Sequence, residues 1–465
     1  MLQQRIDQYF ENRENELVET ISRLIAVRSV REDPLPGMPF GKGPAEALNL
    51  GLRIASDLGF QTANHENYVG TVDLNNLETR LGILCHLDVV GEGSGWSTPP
   101  YEGVFKDGML YGRGSSDDKG PLVAALFALK AVKDLEIPLK FNARLILGTD
   151  EETNSADIQY YFERHATPFY TFSPDGAFPV INTEKGSFKS TFTKTWPVSA
   201  DLPRITAVKG GFRINVVPPE AEARVEGMPI ADLQPYCDQA AKITGADYAL
   251  TVENDVVRIL AIGKGGHAAL PEKANNAITA LITLLASLPI AASESFTAIC
   301  DLNRLLPHGD YYGKAIGIAQ ADEISGPLTL SFNIFEQTLA GFTGRFDSRT
   351  PLCATKENCL DVATRQFAHA GMQFDGKLSP AHNTPCDSPF VQTLLAAYEQ
   401  YTGLKGSCES TGGGTYVHDI EGGVAFGAMM PGFESNMHGA NEHMRIADLL
   451  TAAKIFTQVI FDLCG

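Results

Sequence analysis

The chain has 465 residues, 44% of them hydrophobic, enough to bury a sizeable core divided over two or three domains. A net charge of -19 excludes nucleic acids and anionic membranes as partners, because their surfaces repel an acidic protein. No stretch is apolar enough to span a bilayer, and the 8 cysteines form no CxxC pair. Neither a zinc knuckle nor a disulfide framework is expected, and free thiols fit a soluble, reducing, cytoplasmic setting.

Residues 1–21, MLQQRIDQYFENRENELVETI, alternate charged and apolar positions at helical spacing and lack the apolar run of a signal peptide. Residues 82–88, GILCHLD, are a short apolar run ending in polar residues. The same pattern recurs at 143–152, ARLILGTDEE, and 169–175, FYTFSPD. Continuous apolar runs of this length suit strands buried on both faces of a parallel sheet. A fourth run, 423–430, GVAFGAMM, precedes Pro431 and a loop with His438. Between the first two lies a predicted helix, 121–135, with Leu122, Ala125, Leu126, Leu129 and Val132 at helical spacing behind Pro121.

Strand, helix, strand predicts an α/β sheet whose site lies beyond the carboxyl ends of the strands. From about 186 to 379 the pattern changes to strand-like segments at 187–195, 221–226 and 328–335, mixed with amphipathic helices such as 274–288. The flanks, 182–186 and 378–387, have linker composition. The expected organisation is a discontinuous catalytic domain, 1–184 and 382–465, with a mostly parallel sheet flanked by helices. An α+β lid domain, 185–381, is inserted into it.

His86 and Asp88 stand two apart at a strand end and so share a face, where a carboxylate can fix the tautomer of a liganding imidazole. Of the adjacent Glu151 and Glu152, one can bind a metal while the other acts as general base. Taken singly, each is also an ordinary surface residue, and Asp175 an ordinary turn former. Gathered at one sheet edge, their carboxylates would raise each other's pKa unless cations compensated them, and two divalent ions balance the charge. In 114–120, GSSDDKG, neighbouring side chains of an extended chain point apart, so Asp117 and Asp118 do not both serve one small site.

His86-Leu-Asp88, the loop 112–120, Glu151-Glu152, Asp175-Gly176 and Met437-His438-Gly439 resemble, in order and spacing, the dinuclear zinc metallopeptidases that include carboxypeptidase G, carnosinases, aminoacylases and dipeptidase V. Residues 412–416, GGGTY, and the following VAFGA make the dipeptidase V branch the nearest. The resemblance implies that His86 and Asp175 bind one metal, Glu152 and His438 the other, and Asp117 bridges both across a cis Asp117–Asp118 peptide. Asp88 would orient His86, and Glu151 would deprotonate the bridging water. Two Zn2+ ions ~3.5–4 Å apart are expected, with Mn2+ or Co2+ as alternatives.

His267, in 263–271, GKGGHAALP, resembles the family's lid histidine, which faces the developing oxyanion. Arg349, in 345–351, RFDSRTP, resembles the arginine that grips a substrate's C-terminal carboxylate, and Asn215 matches a lid asparagine. Gly413, Gly414 and Thr415 would present backbone N–H groups to substrate. The long insert resembles a doubled lid of two subdomains, which implies a monomer with His267 acting in cis. A closed lid and a gripped carboxylate favour dipeptides. Val417-His418 departs from the branch's Ala-Arg, which bears on side-chain preference. The rival readings are an N-acyl amino acid deacylase or desuccinylase, and a non-catalytic binding protein.

Overall fold

Apolar runs too short for helices become strands covered on both sides. The computed structural model describes residues 2–465, and the chain divides into two compact units, one running to Thr183 and resuming at Asn383–Gly465, the other Glu184–His382. The first unit opens with helices α1 (Leu2–Phe10), α2 (Glu14–Ile25) and α3 (Lys42–Asp57), followed by strands β1 (Gln61–His65), β2 (Val69–Asp73) and β3 (Thr79–His86). Short strands β4 (Val104–Lys106) and β5 (Met109–Tyr111) lead to α4 (Lys119–Asp134), β6 (Asn142–Gly148), α5 (Ala156–Phe162) and β7 (Tyr170–Ser173).

The main sheet runs β1-β2-β6-β3-β7, then Val424–Ala425 and Val180–Glu184. It is parallel in its middle, where β3 pairs with β6 and β7 and Val424–Ala425 pairs with β7. Towards its edges the pairing is antiparallel, so the predicted parallel runs are the central strands of a mixed sheet. Helix α4 is buried along nearly its whole length and packs against α2 and the C-terminal helix Ile446–Cys464. Alanines 124, 125, 128 and 131 permit that close approach from several sides.

The second unit is an antiparallel eight-stranded sheet, with helices Ile230–Thr244, Ala277–Ser287, Glu294–Leu305 and Asp361–His369 contributing to one apolar core. Its two four-stranded halves meet where Arg204–Gly210 pairs with Thr329–Thr338 over Val208, Lys209 and Gly210. The two subdomains expected from the insert's length therefore share one sheet. Among the described residues no helix is long and apolar enough to cross a membrane.

One expectation is corrected here. Cys386 and Cys408 are joined in a disulfide, while the other six cysteines are free. Twenty-two residues of sequence separate the pair; spacing of that kind carries no local signal, because the return of the chain after helix Pro389–Thr402 brings the two together.

Candidate metal centre

Strand β3 ends at His86, in register with Gly148 at the end of β6. Both strands thereby deliver their following turns to the same edge. The His86 ring is buried, and its Nδ1 lies 2.9 Å from the backbone carbonyl of Asp88. A carbonyl only accepts, so Nδ1 carries the proton and Nε2 offers its lone pair to a cation. The Asp88 carboxylate stands 3.5 Å from Nδ1 and accepts from the backbone N–H groups of Glu151 and Glu152, one on each oxygen, at 3.1 Å each. Asp88 thus orients the imidazole mainly through its backbone and the Glu151–Glu152 turn through its side chain.

Asp117 precedes α4 in a loop that bends at Gly114, φ +88°, where a Cβ would come within 2.9 Å of the Lys119 side chain. The Asp117–Asp118 peptide is cis, as the resemblance implies. The two side chains separate: Asp118 accepts the backbone N–H of His86 at 3.0 Å, while Asp117 faces both imidazoles. Its Oδ1 lies 2.9 Å from His86 Nε2 and its Oδ2 2.8 Å from His438 Nε2. His438, held in the left-handed region at φ +62°, also lies 3.1 Å from Glu152 Oε2. Asp175, after β7, stands 3.5 Å from His86 Nε2.

Two groups of ligand-type atoms result, His86 with Glu151 and Asp175, and Asp117 with Glu152 and His438, each within 4.8 Å. Their electrostatics call for cations. Burial alone would lower the pKa of His86, but Asp117, Asp175 and Asp88 outweigh it and raise that pKa well above its ordinary value. The same contest at His438, against Asp117 and Glu152, ends at about 11. Burial and then Asp117 push Glu152 up to about 7, and burial and then Asp175 raise Glu151 well above its usual range. Asp117, although burial opposes it, is held far below that range by His438 and His86. Glu152 Oε1 is buried with no hydrogen-bond partner. An orphaned carboxylate oxygen among histidines and acids is what a hard or borderline divalent ion satisfies, and mixed N and O donors suit zinc. The residues present fit a metal pair.

Residues 82–462 match the family model described as Peptidase family M20/M25/M40. The chain belongs to that family. The resemblance drawn from the motifs is thereby borne out. Among curated relatives, the Beta-Ala-Xaa dipeptidase of Lactobacillus delbrueckii subsp. lactis is 32% identical over 459 residues, covering 97% of each chain. Human carnosine dipeptidase 1 matches the fold with a TM-score of 0.62 at 16% identity, over 100% of this chain and 99% of its own. The dipeptidase Dug1p of Saccharomyces cerevisiae does so at 0.59 and 12% identity, over 99% and 98%.

The remaining predicted residues lie elsewhere. Gly413 and Gly414 are exposed and Thr415 half-buried in a loop of the first unit before the short helix Tyr416–Asp419, which Thr415 caps. Asn215 and His267 belong to the second unit, where Val216 pairs with His267 and the Ala268 N–H bonds to the Asn215 carbonyl at 2.9 Å. That corner turns on Gly211, φ +77°, whose absent Cβ would sit 1.7 Å from the Asn333 carbonyl oxygen. Arg349, on strand Gly341–Thr350, bonds through Nε and Nη2 to Asp347 Oδ2 at 3.2 and 3.0 Å.

Three buried supports were not foreseen. Glu442 and Arg113 form an ion pair under the Asp117 loop. Asp157, raised to about 7 by burial and then by Asp88, accepts from the Tyr416 hydroxyl and from the N–H groups of Thr149 and Asp150, bracing the turn before Glu151. Val417, where the sequence departs from the dipeptidase V pattern, is packed in the apolar cluster beside Tyr416.

Proposed function

We propose that this protein is a metal-dependent dipeptidase, cleaving the peptide bond of substrates with a free amino terminus and a free C-terminal carboxylate. The observation that carries the metal chemistry is Asp117, whose two oxygens each face a different imidazole at hydrogen-bonding distance. The dipeptide substrate class rests on the end-to-end likeness to the Beta-Ala-Xaa dipeptidase. His86 and Asp175 would hold one divalent ion and Glu152 and His438 the other, with Asp117 shared between them. Such a pair, zinc by ligand type, supplies Lewis acidity to the water and to the scissile carbonyl.

The chain's own groups do the rest. Glu151, next to Glu152 on the same turn, takes the proton of the attacking water and returns it to the leaving amine. Asp88 holds Glu151 and Glu152 at fixed spacing through their backbone N–H groups. His267 donates to the developing oxyanion from the same chain, which makes a monomer sufficient. The Arg349 fork receives the terminal carboxylate, with Asn215 beside the substrate. Of the predicted loop, Gly414 and Thr415 are left to offer N–H groups to the peptide, because the Gly413 N–H is donated to Thr411 Oγ1 at 3.1 Å. Free exposed thiols at Cys300 and Cys353 support a reducing cytoplasm, against which the Cys386–Cys408 bond stands as the counter-observation.

Protein loaded with Zn2+, Mn2+ or Co2+ and assayed on β-alanyl and α-linked dipeptides, beside N-acetyl and N-succinyl amino acids, tests this. Metal-dependent turnover of dipeptides is expected. Faster turnover of the N-acyl compounds would replace the reading.

A further inference from the structure

Glu442 is 0% exposed and 325 residues from Asp117 in sequence, yet it binds the loop that presents Asp117. Its Oε1 accepts from the backbone N–H of Ser116 at 3.0 Å, the Ser116 hydroxyl at 3.0 Å and the backbone N–H of Asp117 at 3.2 Å. The Gly114 N–H lies 3.1 Å from both oxygens. Its charge is balanced by Arg113, equally buried, whose Nη1 donates to Oε2 at 2.6 Å. The other arm of that guanidinium, Nη2, donates to the carbonyl of Gly439, the residue after His438, at 3.1 Å and to that of Gly91 at 3.3 Å. One planar fork therefore ties the strand-end loop of Asp117 to the loop of His438.

We infer that the buried Arg113–Glu442 pair is a positioning strut that sets Asp117 Oδ2 against His438 Nε2, because it ties the Asp117 loop to the His438 loop, and so bears chiefly on the Asp117, Glu152 and His438 ligand group. A buried ion pair is costly unless its arms are bonded; here Nη1 and Nη2 end on the two loops whose separation matters, and Nε alone is left without a partner. The His86, Glu151 and Asp175 group has supports of its own in the Asp88 carbonyl, Asp88 Oδ1 and the end of β7, while Asp88 Oδ2 serves Glu152 of the other group. The strut rests on the reading of Asp117 as a shared ligand.

The test is Zn2+ binding to the metal-free protein, measured by competition with a chromophoric chelator and resolved into two dissociation constants. Glu442→Gln should weaken the ion on the Glu152 and His438 side ~10–100-fold, the usual effect of losing a group that orients a ligand, and the other, which shares only Asp117 with it, distinctly less. Two unchanged constants in a folded variant, or equal weakening of both, would overturn the strut, the latter by showing general loosening. If Glu442→Gln does not fold, Arg113→Lys carries the test. It keeps the counter-charge beside Glu442 but cannot also reach the Gly439 carbonyl, so the same ion should weaken more than the other; no change overturns the inference. An Asp117→Asn arm separates the two claims. If it leaves both constants unaltered, the shared-ligand reading fails; if it weakens both while Glu442→Gln weakens neither, only the strut fails.

Discussion

The two units hold their polar residues by opposite means. In the first, His86 and Asp117 are shut away from water and Glu152 nearly so, although His438 is half exposed, and partners far off in sequence fix them, Asp88 to Glu152 and Glu442 to Asp117 among them. In the second, His267 is exposed on a two-residue strand with its Nδ1 accepting from the Ala269 N–H at 3.1 Å. Arg349 is braced by a carboxylate two residues away. Ligands that must meet a cation within a fraction of an ångström need rigid supports. Groups that meet a variable substrate can be held more locally.

That contrast can be broken in order of expected effect. Glu151→Ala should lower kcat by ~10²–10⁴-fold, the range for a general base, with metal content by atomic absorption unchanged. Lost metal would make Glu151 a ligand instead. His267→Ala should cost ~10²–10³ in kcat and leave metal binding unchanged; a near-normal kcat removes it from the reaction. Arg349→Lys should raise KM for dipeptides ~10–100-fold through lost charge-assisted hydrogen bonds, and raise it much less for dipeptide amides, which lack the carboxylate. Equal changes for both would show that Arg349 does not read that group.

Chelation gives the smallest signal, one of stability. Removing ions present at a hundred times Kd costs ~2.7 kcal/mol per site, and leaves the clustered carboxylates uncompensated. Calorimetry should show Tm several degrees lower, and an unchanged Tm after verified removal would mean that the first unit's rigidity owes nothing to metal.

Much of this was legible in the sequence for one reason. His86, Glu151, Glu152 and Asp175 each follow an apolar run, and apolar runs of strand length deliver whatever follows them to the same sheet edge. Asp117 needed the family pattern to be told from Asp118, because adjacent carboxylates carry no local mark of which way each will point. Glu442 and Arg113 left no trace at all: their partnership spans 329 residues and depends on tertiary packing, as does the Cys386–Cys408 bond. The seam of the second unit's sheet was hidden likewise, since a strand's sequence does not name its neighbour.

The carboxylate of Asp88, with one oxygen on each of two consecutive amides, has a consequence for how this site can vary. Glu151 and Glu152, the base and a ligand in the function proposed above, occupy neighbouring positions on a single turn, and their spacing is set from a third position sixty-three residues upstream of Glu151. Neither glutamate can drift alone: lengthening the turn by one residue would cost an amide its acceptor and move proton transfer and ion binding together.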